Sequence, residues 1–284
     1  MLALAVGFGL LIGLSLGALG GGGSILTVPV LVYALGENAQ SATTGSLVIV
    51  GVTAAAATVG HARAGHVRWR AGLGFGVAGV AASFGGTALN ARVDPNFLLV
   101  CFAGLMLVAA TAMLTKTLVH THGDIDRDES DADAEAAPLR RGPLGTLSRP
   151  AVGAPARQRV SAAVAARVAA AGLVVGFLTG FLGVGGGFVI VPALVLLLAY
   201  KMPTAVGTSL LIISLNSAVA LAARSGSSAQ FHWSVIAPFT VAAVLGSAGG
   251  KRTADRVSGT QLTRTFAGLL LIVATYVLVR ALLG

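Results

Sequence analysis

The chain matches itself. Displaced by 163 residues, Gly9, Gly13, Gly17, Leu19 and Gly20 fall on Gly172, Gly176, Gly180, Leu182 and Gly183. In the same register Gly22, Gly23, Val28, Pro29 and Leu31 fall on Gly185, Gly186, Val191, Pro192 and Leu194, and Ala42, Ser46 and Leu47 on Ala205, Ser209 and Leu210. After one inserted residue the displacement is 164, and Trp69, Ser83, Gly86, Arg92 and Phe102 fall on Trp233, Ser247, Gly250, Arg256 and Phe266. A register kept over about a hundred residues marks a tandem duplication. Its copies are 1–115 and 166–284, joined by a segment 116–165 of different character.

Charge then says what solvent the copies live in. Only 10% of the 284 residues are charged and 55% are hydrophobic, with a mean hydropathy of +0.87. An ordinary soluble domain has about a quarter charged residues, so this chain cannot cover a water-facing surface. A soluble enzyme or a nucleic-acid-binding domain is excluded despite the net charge of +9. Seven of the ten acids lie between Asp124 and Glu135, and the bases cluster at Arg63–Arg70, Arg140–Arg167 and Lys251–Arg256. Between the clusters run uncharged stretches near the ~20 residues that span a hydrocarbon core. The fold class is an all-α polytopic membrane protein, multi-pass with lipid as its main neighbour. The start, Met1-Leu2-Ala3, has no basic n-region, so no removable signal peptide is expected. The segment 116–165, acidic and then rich in proline, glycine and arginine, reads as a charged, solvent-exposed linker in which His120 and His122 are incidental. Cys101, the lone cysteine, reads as a small apolar residue of a span.

Each copy repeats one series of apolar segments: 2–19, 24–35, 39–60, 71–89 and 97–115, then 166–182, 187–200, 204–222, 234–250 and 262–282. The second member is short. Twelve helical residues reach about 18 Å, against a core of about 30 Å. Each short segment follows a glycine cluster, Gly20–Gly23 or Gly183–Gly187. The expectation is a discontinuous helix in each repeat: a span, an unwound glycine turn, then a half-helix containing Pro29 or Pro192 as a kink. Gly9, Gly13 and Gly17, with copies Gly172, Gly176 and Gly180, form a small-residue face for close helix packing.

The bases weigh the orientation. An odd number of crossings per repeat puts Arg63, Arg68, Arg70, Lys201, Lys251, Arg252 and Arg256 on the linker side and leaves Arg92, Arg224 and Arg280 opposite; an even number divides them equally. The positive-inside rule favours the odd count. The repeats are expected to be inverted, with the linker cytoplasmic and both termini outside.

Paired discontinuous helices in inverted repeats are a recurring plan of secondary transporters. The first turn of a half-helix carries unpaired N–H groups and the positive end of the helix dipole. Two such ends converging would make an anion site built of backbone, from Gly22, Gly23 and Ser24 in one repeat and Gly185, Gly186 and Gly187 in the other. The following spans add hydroxyls at Thr43, Thr44, Ser46, Thr208 and Ser209, and Asn216 lies two turns on without an obvious counterpart. No carboxylate lies mid-span; Glu37 stands at a helix end and is read as a solvated loop residue, and outside 116–167 eleven bases face three acids. That balance favours anions. A hydrolase would need a base beside a nucleophile, whereas His61, His66 and His232 fall in expected loops and no metal, cofactor or catalytic set is apparent. A homo-oligomer is compatible with such a bundle.

The doubled motif, Gly20–Gly23 with Pro29 and Gly183–Gly187 with Pro192, each followed by a Thr/Ser-bearing helix (Ala42–Leu47; Ala205–Leu210), closely resembles the TauE/SafE sulfite exporter family. The resemblance covers both repeats. It implies about eight spans plus the short half-helices, and a multi-pass permease of the cytoplasmic membrane for sulfite, a sulfonate or a related organosulfur anion. A thiosulfate or sulfur-compound uptake permease and an anion channel stay open beside it.

Overall fold

The computed structural model of the protein describes residues 2–37, 39–90, 92–94, 97–98, 100–115, 162–182, 187–223 and 232–283. The first repeat supplies α1 (Leu2–Leu19), α2 (Gly22–Pro29), α3 (Ala39–Arg63), α4 (Trp69–Asn90) and α5 (Val100–Thr115). The second supplies α6 (Ala162–Leu182), α7 (Gly187–Leu196), α8 (Met202–Ala223), α9 (Trp233–Ala254) and α10 (Gly259–Leu283). Seven described helices (α1, α3, α4, α6, α8, α9 and α10) are long and apolar enough to cross a membrane; α2 with its extension, α5 and α7 are shorter. Val77, Phe84, Leu245 and Ile272 stand bare on the outside of the bundle, an arrangement that lipid satisfies and water does not.

The glycine faces find their partners across the duplication. A β-carbon on Gly13 would come 2.6 Å from the carbonyl carbon and the α-carbon of Ala243, and one on Gly17 would come 2.7 Å from the α-carbon of Ser247. In the copy, Gly176 meets the Gly79 backbone and Gly180 that of Ser83. Numbers rise together along both pairs, so α1 runs parallel to α9 and α6 parallel to α4. Each contact in one interface recurs in the other at the repeat displacement, which is an internal pseudo-symmetry. Lipid offers no hydrophobic drive to bring helices together, and backbone-to-backbone dispersion takes that role.

Equivalent helices meet at the centre in opposite directions. Gly51 of α3 lies against Ser217 of α8, while Gly207 near the start of α8 lies against His61 and His66 past the end of α3. The α3 and α8 axes are therefore antiparallel. α2 runs back along α1, with Gly23 against Ile12 and Leu16.

Several expected boundaries move. α2 begins at Gly22, because its glycines are held against α1 and need no helix preference of their own. After Pro29, which has no N–H to give, Val30–Ala34 wind as a π-helix, and the Leu35 N–H reaches the Val30 carbonyl at 3.2 Å. α7 ends at Leu196 instead of running to 200; Ala199, with φ +52°, turns the chain. α6 begins at Ala162, inside the stretch read as linker, where alanines favour helix. His61, read as a loop residue, sits in the last turn of α3 and is buried, since that helix runs to Arg63. Glu37, read as solvated, has a side chain only 10% exposed and lies 2.7 Å from His232 Nδ1 of the other repeat. The equivalent positions in the copy are Tyr200 and Arg68: burial pushes the Tyr200 hydroxyl above its ordinary range, and the positive charge of Arg68 opposes that rise. Gly185, Gly186, His120, His122 and most of the linker lie outside the described residues.

Candidate functional site

The turn between α1 and α2 is built by two glycines with different duties. Gly20 has φ +75°, a conformation that side chains rarely adopt, and closes onto α1 through its N–H to the Leu16 carbonyl at 2.8 Å. Gly21 is in ordinary helical conformation, but a β-carbon there would fall inside the Gly187 carbonyl and 2.9 Å from the Phe188 nitrogen. The N-terminal ends of α2 and α7 thus touch through backbone, head to head. Ser24 completes the contact, its Oγ crowding Gly187.

The expected site residues divide into groups. Gly22 and Gly23 are buried in the first turn of α2; Gly22 faces the tip of Leu269 on α10, and Gly23 faces the α1 backbone. Ser209 is fully buried, and its Oγ lies 2.5 Å from where a Gly20 β-carbon would be. Ser24, Gly187, Ser209 and the glycine turn therefore share one locality. Thr208 accepts the Arg68 N–H at 3.2 Å, tying the start of α4 to α8. Thr44 and Ser46 are buried in the first half of α3. Ser46 corresponds to Ser209, so its matching neighbour would be Gly183, outside the described residues.

The hydroxyls have a definite polarity. Ser24 donates to the Gly21 carbonyl at 2.7 Å, Ser46 to Thr43 at 2.8 Å and Ser209 to Val206 at 2.8 Å. Each spends its proton on its own chain and presents lone pairs, so the donors left for an anion are N–H groups of the first helical turns. Pro29 stands at the junction of α- and π-helix, and Pro192 lies buried within α7.

Asn216 has a counterpart after all. Within the continuous helices α3 and α8 the 163-residue displacement sets it on Thr53. Asn216 Oδ1 and Thr53 Oγ1 are both buried without a hydrogen-bond partner. They flank the Gly51–Ser217 crossing, and a threonine matched to an asparagine is too weak a likeness to find by identity alone. Sequence reasoning also missed Gly20 and Gly21 as the tightest positions, and His61. Among the described residues no three of His, Cys, Asp and Glu gather in a metal-binding group.

Comparison with known proteins agrees with this architecture. The family model described as "Sulfite exporter TauE/SafE" matches residues 5–277. A "Probable membrane transporter protein" of Xylella fastidiosa (strain Temecula1 / ATCC 700964) is 32% identical over 285 aligned residues, covering 99% of this chain and 96% of the relative. Its namesake in strain 9a5c is 31% identical with the same coverage. "Probable membrane transporter protein YunE" of Bacillus subtilis (strain 168) is 27% identical over 218 residues, covering 74% of this chain and 72% of the relative. No solved structure matches. A bundle of apolar spans in which the starts of α2 and α7 meet backbone to backbone, matched by that family from residue 5 to residue 277, belongs to the TauE/SafE family: the chain is a multi-pass membrane protein of anion transport, a transporter and not an enzyme.

Proposed function

We propose that the protein carries a small oxyanion, sulfite or a sulfonate, across the membrane by alternating access. The observation that carries this is the backbone contact of Gly21 with Gly187, where two equivalent half-helix N-termini face each other. The positive ends of their dipoles favour a negative charge beside them. The anion binds at Gly22–Ser24 and Gly185–Gly187, with Thr43, Thr44, Ser46, Thr208, Ser209 and Asn216 of the next spans beside it. The Gly21–Gly187 contact stays closed in the bound state and fixes the two helix ends beside the anion, toward which the serine hydroxyls turn.

The repeats, 1–115 and 166–284, are inverted. Equivalent helices related by an axis along the membrane normal would run parallel; the antiparallel crossing of α3 and α8 supports an axis in the membrane plane. Each repeat then has four spans, α5 with helical residues 97–98 counting as one, and the return of the chain through the half-helix α2 or α7 makes the number of crossings per repeat odd. The linker 116–165 is cytoplasmic. Reporters placed in the linker and at the C-terminus are expected on opposite sides of the membrane; the same side for both would overturn the inverted arrangement.

The transport reading is tested with proteoliposomes loaded with labelled sulfite, with and without unlabelled sulfite, sulfate or a sulfonate outside. Saturable flux accelerated by external sulfite is expected. Flux that rises linearly with concentration would make the protein a channel, and no flux for any of the three anions would remove the substrate class.

A further inference from the structure

His61 is 2% exposed within the span Ser41–Arg63. An ionisable side chain in a membrane span is expensive, and such residues mark pathways. Its Nε2 lies 3.1 Å from the Gly17 carbonyl oxygen. A carbonyl only accepts, so Nε2 carries the hydrogen and Nδ1 is the atom left to take up another proton. That Nδ1 is buried without a partner, and so is Nδ1 of His66, whose ring centroid lies 6.3 Å away.

Both histidines line a cavity of about 140 Å³, together with Ala18, Val206, Asp255 and Leu262. This space holds a small oxyanion with some of its water. The cavity adjoins the glycine turn: Ala18 precedes Gly20 by two residues, and the Val206 carbonyl receives the Ser209 hydroxyl. The charged groups facing His61 are Lys251 and Asp255 of the α9 end, with His66 beyond α3; Lys251 and Asp255 pair with each other. With Asp255 engaged, Arg63, Arg68, Arg252 and Arg256 at the ends of α3, α4 and α9 leave the described residues at this end of the bundle positive, a field that gathers anions.

Resting on the transport reading, we propose that this cavity is a second oxyanion site at one mouth of the pathway, where the anion is held with one proton taken from solvent onto His61 or His66. Protonation turns an Nδ1 acceptor into an N–H donor aimed at the anion. The ion pair carries one negative charge fewer than the bare anion, which lessens the cost of leaving water.

The test uses methanesulfonate, which stays anionic throughout, so that any pH dependence belongs to the protein. Thermal unfolding of the full chain in detergent is followed with and without saturating methanesulfonate at about pH 8 and about pH 6, a range that spans histidine titration. In the wild type the ligand-induced rise in Tm is expected to be larger at the lower pH. His61→Gln, whose amide still donates toward Gly17, and His66→Gln are each expected to lose that pH-dependent part. A pH-independent rise in the wild type, or an undiminished pH dependence in both variants, would overturn the site. Should His61→Gln fail to fold, His66→Gln decides, because its Nδ1 holds nothing in place. Absence of sulfite flux alongside histidine-dependent binding would remove the transport reading and leave this anion site standing.

Discussion

Gly21→Ala is expected to lower sulfite flux at least about tenfold while the protein still inserts and folds. One methyl group there occupies the space of the Gly187 carbonyl, with the Phe188 nitrogen 2.9 Å away. Both neighbours are backbone, so no side chain can swing aside, and α2 and α7 must move apart. Overpacking of this kind costs about 1–3 kcal/mol, and every ~1.4 kcal/mol that falls on the bound state is a factor of ten. Gly104→Ala is the control: a β-carbon there meets nothing within 4 Å. Flux in proteoliposomes, normalised to folded protein, separates the two. Equal flux for Gly21→Ala and the wild type would detach transport from the half-helix contact.

A second large effect is expected in stability. Gly13→Val and Gly176→Val place a branched side chain into the α1–α9 and α4–α6 interfaces, where the facing groups are the backbones of Ala243 and Gly79. Each is expected to destabilise the bundle by about 3 kcal/mol, the upper end of overpacking, seen as a lower Tm in detergent. The interfaces share no residue, so the double variant is expected to show the sum within about 0.5 kcal/mol. Gly104→Ala and Gly268→Ala, equivalent positions where a β-carbon meets nothing within 4 Å, are expected to leave Tm unchanged or raise it slightly. Losses of similar size at all four positions would mean that the close approaches carry no special weight.

These positions show how far a sequence can be read. The face Gly9, Gly13, Gly17 was legible, because small residues at a four-residue spacing on an apolar helix leave a groove. Its partner was not: nothing along α1 points to Phe239, Ala243 and Ser247, more than 200 residues away. The half-helices were legible from length and glycine content, yet the tightest contact fell on Gly21, whose counterpart in the copy is Val184. Comparing the repeats favours positions that match, and a contact between unlike positions escapes it. Glu37 and His61 were misplaced for a related reason. Each looks like a loop residue beside its chain neighbours, and each is held by the other end of the molecule or by α1, through His232 and the Gly17 carbonyl.

By itself, then, the sequence determined that this chain lives in a bilayer, that its two halves match in register, and that a short helix follows a glycine cluster in each half. Hydropathy, repeat register and glycine spacing are local or periodic properties, and they survive in one dimension. Only the tertiary structure decided that α3 and α8 cross in opposite directions, that α1 lies along α9 and α6 along α4, and which glycine stands backbone to backbone with the other repeat. Those choices depend on how two copies of one surface fit each other in space, where shape excludes all but a few arrangements. No pattern along the chain encodes that fit.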